Sequence, residues 1–302
     1  MKYKVIFVNW TAPFFKKNKN KKYSIPDYEL LINKVAILNA KKYLQVTVKL
    51  YTDSVGYEYY KQNKLIELFD EVDIDVLNEY NENTLEAGKW WTSGKSIVIG
   101  KEEPPFLFLD NDFIVRSNLP ETIHKYDLVH THWELHRGNY YVSEKTLAEY
   151  KVPISNFNER MLMPNTSFVY LSNKDLQKKY LDNHLKVVEQ QYKDIPEWLW
   201  LLSDQGILGY CARELNMKVG CLEKKAYLAY SEQQVLWLKD VEKPCGFTPM
   251  WVGIDGIVST IKINYWHIWL DKHLMAINTT FRSTITEELN KILKLHENKI
   301  LL

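Results

Sequence analysis

The sequence predicts an α/β fold, with a mixed, mostly parallel central sheet flanked by helices. Val5-Ile6-Phe7-Val8 and Phe106-Leu107-Phe108-Leu109 are apolar runs without polar alternation, the pattern of strands buried on both faces. Between and after them, strand-like and helix-like segments alternate along the chain, as a parallel sheet with crossover helices requires. At 302 residues the chain is long enough to bury one large core.

Taken in order, the first strand ends in Asn9-Trp10-Thr11, where the first ligand-binding loop of such a sheet lies, and Thr11 is a candidate contact. Five lysines between Lys16 and Lys22 read as a solvated loop, or as a flap near a phosphate or an anionic lipid surface. Asp27 is placed to cap a helix from Tyr28 to Tyr43, with Leu31, Val35, Leu38 and Lys42 on one stripe. Val46 to Tyr51 is a second strand. Asp53, just beyond it, either caps a helix from Val55 to Lys61 or accepts hydrogen bonds from a ribose or a base. A short strand near Leu68 to Ile74 precedes a helix from Thr84 or Leu85 through Ile99, which carries Lys95.

The buried run 106–109 then meets Asp110-Asn111-Asp112. On a regular strand residues i and i+2 share a face, and in a turn they converge, so either geometry brings Asp110 and Asp112 together. Two adjacent carboxylates at the end of a core strand are costly unless a cation or hydrogen-bond donors compensate them, and a divalent metal is the economical explanation.

Further on, Tyr126 to Val129 reads as a strand, followed by His130, His132, Glu134 and His136 at alternate positions. That spacing is either a zinc site or a polar strand facing a substrate. Pro164-Asn165-Thr166-Ser167 leads into the strand Phe168 to Leu171, and Asp175 to Tyr192 is a long charged helix. Asp204-Gln205 stands at an expected helix start, where Asp204 serves as a cap or as chemistry. Val219 to Leu222, the turn-rich Lys243-Pro244-Cys245-Gly246 and the aromatic piece Tyr265 to His273 follow. Thr284-Ile285-Thr286-Glu287 is a capping box that would open a C-terminal amphipathic helix over 284–302.

Composition narrows the functional classes. With 39 basic and 38 acidic residues the net charge is +1, so no global field recommends nucleic acid or a membrane surface. The three cysteines lack CxxC spacing, which argues against a disulfide framework or a cysteine-based zinc site and fits a reducing compartment. The apolar part of the N-terminus is too short for a signal peptide, and no run approaches a membrane span. A soluble, cytoplasmic protein is therefore expected. Ten tryptophans and twenty tyrosines exceed what an ordinary core needs, and such rings serve as stacking platforms in sugar-handling proteins.

Five signals in order resemble one family: Lys95, Asp110-Asn111-Asp112, Asn165-Thr166-Ser167, Asp204-Gln205-Gly206-Ile207-Leu208, and a late histidine, His267 or its rival His273, with Lys272. The pattern is similar to that of the GT-A glycosyltransferases, most closely the retaining glycogenin-like and bacterial galactosyltransferase group. The resemblance implies a Rossmann-like GT-A domain over 1–283, with a nucleotide-sugar-binding half (1–115) and an acceptor-binding half (116–283). It implies Mn²⁺ or Mg²⁺ held by Asp110, Asp112 and His267. Lys95 and Lys272 would meet phosphate, and Thr11, Asp53 and Asn111 would contact the nucleotide sugar. Lys95, Asp204 and Gln205 would be the catalytic residues. The donor would be a UDP-hexose and the acceptor a glycan, a lipid-linked glycan or another hydroxyl, with transfer by retention, a role in polysaccharide biosynthesis and peripheral contact with a membrane. Two other readings stand beside it. Hydrophobic-Asp-x-Asp also opens the haloacid-dehalogenase-type phosphatases, whose second motif Phe168 to Ser172 mimics, and a non-catalytic sugar-binding module would account for the aromatics.

Overall fold

The computed structural model describes residues 3–82, 90–135, 144–154, 163–190, 192, 197–223, 226–228, 261 and 263–297. The central sheet has seven strands among these residues. From one edge to the other they are β10 (Val219–Cys221), β6 (Leu128–His130), β9 (Phe168–Leu171), β4 (Phe106–Leu109), β1 (Lys4–Asn9), β2 (Val48–Thr52) and β3 (Glu71–Asp73). Strand β9 runs antiparallel to both its neighbours, and every other pairing in this sheet is parallel. The fold class expected from the sequence, a mixed and mostly parallel sheet flanked by helices, is the one observed.

Alternation along the strands feeds two cores. Phe106 and Phe108 point to one face with Ile6, Val169 and Leu171, against α5 (Ser93–Lys101), α7 (Lys174–Val188) and α9 (Ile207–Glu214). Leu107 and Leu109 point to the other with Val5, Phe7 and Leu50, against α2 (Asp27–Leu44). The buried stripe of α2 is Ile32, Val35, Ala36, Asn39, Ala40 and Leu44, whereas Leu31 and Leu38, expected on it, are half-buried. The expected stripe was offset because the helix is packed along two rows, i+3 and i+4. Asp27 is the first helical residue, not the cap, a position held by Pro26.

The last helix runs over Thr279–Glu297, so the Thr284–Glu287 box lies inside it. There Thr284 Oγ1 donates to the Thr280 carbonyl, and the helix is opened by Asn278, whose side chain accepts from Phe281 N at 3.0 Å. Ile285, Leu289 and Leu293 are its buried stripe, and His296 reaches Asn39 of α2 at 2.7 Å. Residues 298–302, the 243–246 turn, His136 and the expected helix start at 84 or 85 lie outside the described residues.

Two buried histidines are neutral in the native state. Burial pushes the His184 imidazole down to about 4 and that of His130 to about 3. Both regain the ordinary value near 6.5 on unfolding, so between these limits the unfolded chain binds more protons and stability is lost as pH falls. The melting temperature is expected to hold above pH ~6.5 and to drop progressively toward pH ~4, and His184→Gln should flatten that acid limb. Differential scanning fluorimetry across this range checks it, and parallel wild-type and variant curves would contradict it.

Candidate active site

The site begins where β4 stops. Asp110 N donates to Ser167 O at 2.9 Å, extending the ladder by one residue, and Phe113 N then donates to Asp110 O at 2.9 Å. This closes a tight turn into β5 (Phe113–Val115), so the two acids converge across a turn instead of projecting from a regular strand. Asn111 sits at the turn's tip and its amide donates to Val8 O at 2.8 Å, tying the turn to the end of β1.

A distant segment completes it. Strand β12 (Tyr265–His267) pairs antiparallel with β5 and places His267 opposite Phe113, while Ile268 N donates to Asp112 O at 3.0 Å. His267 Nε2 lies 3.6 Å from Asp112 Oδ1, too far for a hydrogen bond, and has no hydrogen-bond partner although it is buried. One ligand atom from each of Asp110, Asp112 and His267 lies within 4.8 Å of the others. Two hard oxygens and an otherwise unsatisfied imidazole nitrogen fit a divalent cation, and the nitrogen favours Mn²⁺ over Mg²⁺. His273 is on the helix that follows, α10 (Trp269–Ile277), with its side chain outside the described residues.

Two lysines neutralise the acids. Lys272, on the first turn of α10, stands 3.0 Å from Asp112 Oδ2. Burial opposes the charge on Asp112, but Lys272 and His267 outweigh it and hold that carboxyl far below the usual range. Burial pushes Asp110 the other way, with the Asp112 charge adding to it against the pull of Lys95. Lys95 lies 3.7 Å from Asp110 Oδ1 and 2.9 Å from Asp204 Oδ2, and these carboxylates overcome its burial and raise its pKa. Lys95 also donates to Thr166 Oγ1 at 2.9 Å, and Thr166 Oγ1 donates to Asp204 Oδ1 at 3.1 Å.

Asp204 is not at a helix start. It lies in a π-helical turn, Leu202–Gly206, inserted between α8 (Glu197–Leu201) and α9, so the capping alternative falls away. The wider turn displaces backbone carbonyls, and side chains of α7 take them up: Tyr180 OH donates to Asp204 O at 3.0 Å and His184 Nδ1 lies 2.8 Å from Ser203 O. Next to it, Gln205 Nε2 donates to Glu134 Oε2, and Asn165 Nδ2 donates to Glu134 Oε1 at 2.8 Å. Glu134 is thus the residue that joins two of the sequence signals, a role hidden by its place in the histidine alternation.

That alternation is not a zinc site among the described residues. His130 Nδ1 is turned to His132 O at 2.9 Å, and its ring packs edge-on against Trp133. Only His132 and Glu134 of the described members face the cleft, because a strand sends alternate residues apart once it twists and ends. Asp53 and Thr11 are brought together, but away from the cleft lining. The fully buried Asp53 carboxylate accepts from Thr11 N and Thr11 Oγ1 at 2.8 Å and from Gly56 N at 2.8 Å, capping α3 (Ser54–Gln62) and holding the first loop in place. It is the neighbouring Trp10 that lines the cleft, against Gly94, where a Cβ would come within 2.9 Å of Trp10 Cβ.

The resulting cleft measures about 430 Å³ and is bounded by Asp110, Asp112, Lys95, Asp204, His267 and Lys272, with Trp10, Trp91, Trp200 and Trp269 among the rings on its walls. No family model matches the chain, and no curated protein does. Solved structures do. Among them are the PaToxG glycosyltransferase (11% identity, TM-score 0.40, 71% of this chain and 70% of that one) and mouse xyloside xylosyltransferase 1 (13%, 0.41, 74% and 85%). The CTP:phosphocholine cytidylyltransferase LicC of Streptococcus pneumoniae also matches (13%, 0.39, 80% and 100%). These neighbours are glycosyltransferases and nucleotidyltransferases, and likeness this distant carries no activity across.

Register removes the phosphatase reading. Because β9 is antiparallel to β4, Leu109 pairs with Phe168 and Phe106 with Leu171, so Ser172 emerges at the end of the sheet opposite Asp110. Its hydroxyl is committed to Tyr126 O at 2.9 Å.

If the three-residue set binds a divalent ion, Asp112→Asn should lose the stabilisation that Mn²⁺ gives the wild type, since half of its carboxylate donor charge is gone. The unliganded melting temperature should fall, because the half-buried Lys272 charge loses its carboxylate partner, so the Mn²⁺ shift is read against the variant's own unliganded value. Thermal scans with and without millimolar Mn²⁺ test both statements, and an unchanged Mn²⁺ shift in the variant would refute the assignment.

Proposed function

We propose that the chain is a metal-dependent glycosyltransferase that moves a hexose from a UDP-linked donor to a hydroxyl of a glycan or lipid-linked glycan. The observation that carries this reading is the meeting of Asp110, Asp112 and the orphaned His267 nitrogen in one cleft with the Lys95–Asp204 pair. Cleaving a sugar from a diphosphate requires the departing charge to be stabilised, and a divalent cation at this set would supply that as a Lewis acid. Lys95 and Lys272 already lie beside the acids and can meet phosphate oxygens as further positive charges. In this scheme 1–115 supplies the acid pair and Lys95 on the donor side, and 116–283 supplies Asp204, Glu134, His267 and Lys272.

The surroundings of Asp204 support retention. One oxygen is ion-paired to Lys95 and the other accepts from Thr166, so both carboxylate oxygens are engaged and the group is fixed in position. It suits a group that orients the acceptor and stabilises a developing oxocarbenium ion while the leaving phosphate accepts the proton. Gln205, fixed by Glu134, lines the same cleft beside Asp204. No helix among the described residues is long and apolar enough to cross a membrane. A cytoplasmic setting, with the exposed lysines between 16 and 22 touching a membrane surface, belongs to this proposal.

The decisive experiment screens nucleotide sugars with Mn²⁺ for thermal stabilisation and for slow hydrolysis. A UDP-hexose should raise the melting temperature and be hydrolysed only when Mn²⁺ is present, and an absence of both with every UDP-sugar would overturn the proposal. For stereochemistry, an α-linked donor should give an α-linked product by NMR, and Asp204→Asn should lower kcat on the order of a hundredfold without rescue at high pH. A β-linked product would make Asp204 the base of an inverting enzyme.

A further inference from the structure

Trp90 and Trp91 are adjacent and do opposite things. Trp90 is 1% exposed and packs in the core against Tyr192, whereas Trp91 leaves 44% of its surface open on the wall of the cleft. The core therefore has its tryptophan without Trp91, whose exposed indole in a concave site offers an aromatic surface to a ligand. Its one described ring partner is Trp200, with centroids 5.1 Å apart and planes at 54°, a tilted contact that leaves part of Trp91 exposed. The two rings come from different segments, yet each stands four residues before a member of the same ion pair, Trp91 before Lys95 and Trp200 before Asp204. One turn of chain thus sets the ring pair beside the Lys95–Asp204 contact. Gln205, Glu134 and Asn165, planar side chains hydrogen-bonded to one another, line the same cleft.

An aromatic face beside planar amides and carboxylates is the chemistry that recognises a pyranose, whose axial C–H groups stack on a ring while its hydroxyls are bonded at the edge. We propose that Trp91 and Trp200 form a stacking subsite for the acceptor sugar, holding its ring so that a hydroxyl faces Asp204. This rests on the glycosyltransferase reading above and goes beyond it by assigning the acceptor a pyranose ring and a place. A lipid phosphate or a peptide hydroxyl as the sole acceptor element would leave the exposed part of Trp91 uncovered.

The test is saturation-transfer NMR and titration of the wild-type chain with lactose, maltose and the methyl glycosides of glucose and galactose, in Mn²⁺ and UDP. At least one sugar should receive saturation through its C–H face. Trp91→Ala should weaken its binding about tenfold, the loss expected for one aromatic stack, and Trp91→Phe should restore most of it. Wild-type hydrolysis of UDP-sugars is measured alongside. If hydrolysis occurs but no sugar binds, or if Trp91→Ala binds as the wild type does with its melting temperature intact, the subsite is refuted and the transferase reading survives. If saturation of the indoles reaches UDP and no sugar, the platform belongs to the base and the proposal is equally refuted. Absence of hydrolysis with every UDP-sugar removes the reading on which the subsite rests.

Discussion

Three carboxylates crowd the carboxyl end of β4 and its surroundings, and their mutual repulsion is the constraint that shapes this part of the molecule. Asp110, Asp112 and Asp204 are all close enough to Lys95 or Lys272 to be paired, which leaves one formal negative charge for a cation to meet. Repulsion of this kind is tolerable at the end of a central strand only if the compensating groups are held rigidly, because a mobile lysine would give up its pairing to water. Lys95 is held by a helix whose apolar residues Ile97, Val98 and Ile99 are fully buried, and Lys272 by α10, which starts directly after the β5–β12 ladder. Each cation thus inherits its position from backbone hydrogen bonds and core packing.

The β5–β12 pairing has the larger consequence. It is a short two-stranded ladder, and by itself such a piece is marginal in water. It is stable here because Phe113, Ile114 and Val115 are completely buried in the second core, which also receives Trp266, Ile268 and the apolar stripe of the last helix. Asn39 donates to Val115 O at 2.9 Å and closes the remaining carbonyl, and His296 holds Asn39 from the other side. The C-terminal helix is thereby connected through α2 to the strand that carries the acid pair, although it contributes nothing to the cleft lining.

The π-helical turn at Leu202–Gly206 shows the same economy. A regular helix would carry Asp204 through with its carbonyl bonded inside the helix, and the inserted residue instead leaves carbonyls that Tyr180 and His184 satisfy from α7. The departure from the α-helix is confined to one turn, and Asp204 and Gln205 emerge toward Lys95 and Glu134.

By itself the sequence determined the layered α/β class, the strands that line both cores and the acid pair at the end of β4. Those features are local, since burial on two faces forces uninterrupted apolar runs, and two carboxylates one residue apart meet on a strand or in a turn. It also marked Lys95, Asp204, Gln205 and His267 as separate signals. Tertiary structure decided their meeting: His267 is 155 positions from Asp112 along the chain and reaches it through a strand register that no local pattern encodes. It decided as well that Asp53 and Thr11 serve each other, that the histidine alternation resolves into one core residue and two cleft residues, and that Glu134 bridges Asn165 and Gln205. The capping box at 284 and the cap at 204 were misplaced for a common reason: a cap depends on where a helix begins, and packing, not propensity, set those boundaries.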